Sequence, residues 1–156
     1  MPEFKFKSSG FKKSDSRFTH DRDSTPIGIK TPLRKGRSRT GVFDMHFAPR
    51  DQIADNLRNL ILTNYGERLG RYDFGSNIRP LALEVSNQAD FETEAMLRIS
   101  NAVTTFMPFV ELDTFEVSID NNSSPGMSRI TLTLGYNVTK FGIIGQGIEV
   151  IFFVAG

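Results

Sequence analysis

An α+β domain with a basic, extended arm in front of it is the architecture this sequence predicts, and three observations carry that prediction. Apolar residues recur at helical spacing in two stretches, near 49–63 and 90–106. After Thr114 the spacing switches to two, the mark of half-buried strands. Residues 1–40 follow neither period and hold most of the positive charge. The body, 41–156, is therefore expected to be two main helices packed on a small, mainly antiparallel sheet.

The arm comes first in the chain. It is rich in Lys, Arg, Ser, Asp and Gly, with Pro26 and Pro32. Disordered segments are poor in aromatics, whereas this one sets Phe4, Phe6, Phe11 and Phe18 among basic residues and closes on Arg34, Lys35, Arg37 and Arg39. Those eight residues are the expected contacts of an arm that orders on a partner. Extended at about 3.3 Å per residue, roughly 40 residues reach on the order of 130 Å.

Folded structure is expected from Gly41. Pro49 suits the first position of a helix, where its missing N–H costs nothing, and the helix should run to Thr63. Ile53, Leu57, Leu60 and Ile61 share one face, with Asp51, Asp55, Arg58 and Asn59 on the solvent side. A turn segment with glycines at 66, 70 and 75 follows, then a short helical turn over 78–83. The second long helix places Phe91, Ala95, Ile99, Ala102 and Phe106 on one face, and Pro108 ends it. Phe115, Val117 and Ile119 mark a strand, residues 121–126 a turn, and Ile130, Leu132, Leu134, Tyr136 and Val138 the return strand. A glycine-rich bend over 142–147 leads to a last strand, Ile148 to Val154, apolar on both faces and so in need of cover on both. The helices and hairpin are expected to fold without it.

Composition narrows the function. The chain has 156 residues, enough for one compact domain and a tail. Hydrophobic residues at 38% include no apolar run long enough to span a bilayer, so no membrane association is expected. The first seven residues interleave charge with aromatics, so no secretory signal is expected and synthesis belongs in a cytoplasm. The chain contains no cysteine, which excludes disulfides, thiolate metal sites and a cysteine nucleophile. Net charge is only +1, yet residues 1–50 hold twelve Lys or Arg against five Asp or Glu, and the remainder seven against thirteen. A basic arm thus precedes an acidic body.

Candidate chemistry is sparse. Glu67 and Asp73 are the one carboxyl pair that suits a glycosidase cleaving peptidoglycan, but Arg68 and Arg71 stand beside them as ordinary surface partners. His20 and His46 fit no triad or metal-ligand spacing. Glycines at 142, 145 and 147 link two strands, whereas a phosphate loop opens a helix. The arm suits single-stranded nucleic acid in its charge and aromatics, but Asp15, Asp21, Asp23 and the acidic body oppose a polyanion. Neither cofactor nor metal is expected.

Ile61-Leu62-Thr63-Asn64-Tyr65-Gly66-Glu67-Arg68, followed by Phe74-Gly75-Ser76 and Leu81, resembles the signature of a baseplate wedge family of contractile phage tails that has at times carried a lysozyme-like label. A similar protein serves type VI secretion baseplates. Order and spacing agree over roughly residues 45–140. The resemblance implies a fold like the interlocking domain of tail sheath proteins and no catalysis. It implies a sheath initiator, a structural virion part assembled in the host cytoplasm, present as several copies in a six-fold ring. The implied partners are the tail sheath protein, other wedge proteins, and the tail tube or hub. Gly66, Glu67, Arg68, Phe74 and Gly75 would form the family turn, with Arg68 either a partner contact or a brace to Glu67 or Asp73. Sheath subunits of such tails join by strands lent to a neighbour's sheet, which makes Ile148, Val150, Ile151, Phe152, Phe153 and Val154 the expected sheath contact. The family often carries Glu-Pro-Arg after the second helix as its anchor to the wedge core. Here Met107-Pro108-Phe109 stands in its place and keeps only the proline, so the anchor becomes apolar, or these residues are simply core.

Overall fold

The computed structural model describes residues 25–36, 42–84, 88–124 and 127–155. It is an α+β chain of three helices and two small antiparallel sheets, in two compact units divided after Gln52.

In the first unit, β1 (Gly28–Ile29) pairs antiparallel with β2 (Met45–His46). Backbone bonds extend the pairing in both directions. The Ile27 N–H donates to the His46 carbonyl at 2.8 Å, Asp44 to Arg34 at 3.0 Å and Gly36 to Val42 at 2.9 Å. Lys30 and Asp44 add an ion pair at 3.3 Å. Backbone pairing therefore starts inside the stretch expected to be an extended, partner-ordered arm, and Arg34 and Lys35 belong to this hairpin. Short runs escape a periodicity reading because two paired residues span a single strand period and less than one helical turn, so no repeat can show. Phe4, Phe6, Phe11, Phe18, Arg37 and Arg39 lie outside the described residues.

In the second unit, the helices follow their apolar stripes. Helix α1 (Pro49–Leu62), whose first turn belongs to the first unit, buries Ile53, Leu57, Leu60 and Ile61 as expected. Asp55 does not follow the expectation: it is only 8% exposed and lies 3.6 Å from Arg58. Periodicity reports which face is apolar but not whether the opposite face is covered, and a carboxylate at that depth is tolerated when it is partnered. Helix α2 (Ile78–Glu84) contributes Ile78 and Leu81 to the core. Helix α3 (Gln88–Phe106) buries Phe91, Ala95, Ile99 and Ala102, with Phe106 half-buried at its end.

The sheet has the order β3 (Glu111–Ser124), β4 (Met127–Val138), β5 (Ile143–Ala155), all antiparallel. One face is core: Ile130, Leu132, Leu134, Tyr136 and Val138 on β4, with Ile148, Val150 and Phe152 on β5. Alternation puts the other residues on the opposite face. The turn expected over 121–126 is shorter, since pairing continues to Ser124 opposite Met127 with an irregularity after Asp120. The residue types there favour turns, but the ladder uses backbone groups that every residue but proline carries. The bend expected over 142–147 is shorter too. A 3-10 turn over Thr139–Phe141 ends on Gly142, and the strand resumes at Ile143. Between the pairs Tyr136–Gln146 and Val138–Ile143, two β5 residues oppose one on β4. Gly145, at φ 65°, takes part in this bulge and donates its N–H to Asn137 Oδ1 at 2.6 Å.

Candidate functional site

Two features of the second unit concentrate the residues singled out by sequence: the turn between α1 and α2, and the edge strand β5.

The turn is built from bonds that finish α1. A helix leaves its last four carbonyls without internal partners. Here the returning chain meets the helix end: Ser76 Oγ donates to the Ile61 carbonyl at 2.7 Å, and the Ser76 and Asn77 N–H groups donate to the carbonyl of Thr63, just past the helix, at 3.2 and 3.3 Å. The approach is so close that a Cβ on Gly75 would run into the Thr63 carbonyl oxygen, and Gly75 sits at φ 124°, a region closed to other residues. Arg98 on α3 ties down the far end, donating from Nη1 to the Asn77 carbonyl at 3.0 Å while its Nε donates to Glu94 at 2.8 Å.

Within the turn, Glu67 accepts from the Asn64 N–H and from Asn64 Nδ2, both at 2.8 Å. These bonds, the backbone one foremost, hold the Glu67 carboxyl below the ordinary glutamate value. Arg68 does not brace the turn through a carboxylate. Its guanidinium lies over the Phe74 ring, 4.2 Å from the centroid. Arg71 lies likewise near Phe106, at 5.8 Å, and the two rings contact each other at 5.0 Å. The arginines expected to pair with Glu67 and Asp73 thus face aromatic rings. Beside them is a groove of about 600 Å³ lined by Asn56, Asn59, Thr63, Glu67, Arg68, Phe74, Phe106 and Met107.

Met107-Pro108-Phe109 forms a tight turn out of α3, with the Val110 N–H bonded to the Met107 carbonyl at 2.9 Å. Met107 and Val110 are buried in the core, Phe109 is half-buried against Phe141 with ring centroids 6.5 Å apart, and Pro108 is exposed. Met107 also reaches the groove.

The six β5 residues divide by face. Ile148, Val150 and Phe152 are buried and Val154 half-buried on the core side, whereas Ile151 and Phe153 are 37% and 66% exposed on the other. The last strand is therefore not separable from the domain, because half of it is core. Its inner edge pairs with β4, and no strand among the described residues pairs its outer edge.

Sequence reasoning places Asn64 and Ser76 within the family-like signature and Phe106 on the apolar face of the second helix, but gives none of them a part in this arrangement. Asn64 carried a signal, standing three residues before a glutamate as capping residues do. Ser76 and Phe106 carried none that local spacing reveals.

No family model matches the chain, and no curated protein matches it. Among solved structures, it is similar to a candidate tail lysozyme from Geobacter sulfurreducens, with 21% identity and a TM-score of 0.53 over 69% of this chain and 91% of that one. It is also similar to a chain of the six-fold symmetrised baseplate of the anti-feeding prophage, with 16% identity and a TM-score of 0.59 over 74% of this chain and 86% of that one. At these identities the likeness is one of fold: this chain carries an α+β fold that is also found in the anti-feeding prophage baseplate.

Proposed function

We propose that the protein is a non-enzymatic structural component of a contractile, phage-tail-like baseplate, joining wedge to sheath and templating the first sheath ring through β5. The observation that carries this reading is the likeness to the anti-feeding prophage baseplate chain over 74% of this chain. The finer role is supported by β5, which offers an unpaired outer edge together with exposed Ile151 and Phe153. Such an edge is a ready template for a strand from another chain. In this reading Met107-Pro108-Phe109 and the adjoining groove face the wedge, and the arm reaches neighbours in a six-fold ring within the particle.

A lysozyme activity fits the turn poorly. A glycosidase acid must hold its proton near neutral pH, which requires a raised pKa. Glu67 is exposed and its carboxyl is shifted the other way by Asn64. Purified protein is expected not to clear peptidoglycan; clearance that disappears in Glu67→Gln would reverse this reading.

The test of the sheath role is electron microscopy of baseplates assembled with Ile151→Lys/Phe153→Lys in the presence of sheath subunits and tube. Charged side chains blunt an edge strand, and both sites are exposed, so the domain should fold while sheath fails to extend. Normal sheath on those baseplates would reject β5 as the template.

A further inference from the structure

The described residues display two surfaces of opposite charge and shared apolar character, one on each unit. On the hairpin of the first unit, Leu33, Val42 and Phe43 are exposed beside the exposed Arg34 and Lys35. On the uncovered sheet face of the second, Ile151 and Phe153 are exposed beside Glu116 and Glu149, which share a cross-strand row through Thr133. The units as wholes follow the same signs. Met1–Gln52 holds twelve Lys or Arg against six Asp or Glu, and Ile53–Gly156 seven against twelve. Apolar residues gathered on an exposed surface mark interaction sites, and complementary charge decides which surfaces meet.

We propose that the hairpin of one copy docks on the uncovered sheet face of a second copy, basic and apolar residues against acidic and apolar ones. The two surfaces are different patches, so the contact is heterologous. The copy that lends its hairpin keeps its face unused and the copy that lends its face keeps its hairpin, so the contact repeats into a ring or an open chain. It uses the face of the sheet and leaves the outer edge of β5 available to a strand. The inference does not depend on the baseplate reading, since it needs only this chain.

The test is sedimentation velocity on the full chain at low salt. The expected mass average exceeds the 17.5 kDa monomer, rises with concentration, and returns to monomer as salt shortens the range of the charge interaction. Arg34→Glu/Lys35→Glu and Glu116→Lys/Glu149→Lys, all at exposed sites, should each weaken association by on the order of tenfold. Mixed together they should associate again, because the first keeps an acidic face and the second a basic hairpin. Circular dichroism checks that both variants are folded. A wild-type chain that stays monomeric at every concentration, association indifferent to either reversal, or a mixture no better than its components would each overturn the proposal.

Discussion

The turn at 63–77 and the edge strand β5 hold the residues most suggestive of function, and they use backbone hydrogen bonds in opposite ways. The turn spends its donors internally, on the Ile61 carbonyl of α1 and the Thr63 carbonyl just past it, on Glu67, and on the Tyr72 carbonyl, which takes the Gly66 N–H at 2.8 Å. Strand β5 is bonded along one edge, has no partner on the other among the described residues, and shows Phe153 and Ile151 to solvent. Specific motif residues thus report architecture, while plain Ile and Phe residues form the exposed surface of β5. A residue type is a poor guide to role until its hydrogen bonds have been traced.

That contrast can be broken by substitution, because turn variants should lose stability and variants on the exposed face of β5 should not. The largest effect is expected at Gly75→Ala. The new Cβ meets the Thr63 carbonyl at a φ that side chains avoid, so unfolding by urea should show a loss of about 3 kcal/mol. Ser76→Ala removes a fully buried hydroxyl and leaves the Ile61 carbonyl without that donor, at a cost of about 1–2 kcal/mol in the same assay.

A smaller effect, dependent on pH, belongs to Glu67. Its carboxyl is depressed in the folded protein. Its contribution is therefore present above the ordinary glutamate value and fades as pH falls through the lower folded one. Glu67→Gln should flatten the acid limb of the stability profile, with a small loss at neutral pH, where the carboxylate's contribution is full, and almost none in acid. The smallest effect is expected at Phe153→Ser, within about 0.5 kcal/mol for an exposed side chain. A large loss there would mean that the exposed face of β5 contributes to the fold, and the contrast would fail.

Much of the fold was legible in the sequence because it rests on long periodic runs. Phe91, Ala95, Ile99 and Ala102 declare the buried face of α3, and the alternation from Ile130 to Val138 declares the core side of β4. The family-like turn was recognisable as a motif, but its bonding was not. Arg68 next to Glu67 reads as an ion pair, whereas in space the arginine lies on Phe74 and the glutamate on Asn64. Short-range charge invites a pairing that a ring six residues away wins, since an exposed ion pair gains little in water. The hairpin at 27–46 was illegible for a related reason: its pairing joins short segments well apart in the sequence.

The bulge at Gly145 acts as a ruler. A strand laid along β5 meets an even ladder only on the far side of it, from Gly147 to Ala155, a length of about 30 Å at the rise of an extended chain. Sliding such a strand past the bulge would break the repeat that its hydrogen bonds need, so the register of any added strand is set at one end by the fold itself. Pulled along its length, that strand loads the whole row of bonds at once rather than opening them singly. For a strand added there, resistance to traction would come from the straight remainder of β5, whose start the bulge fixes.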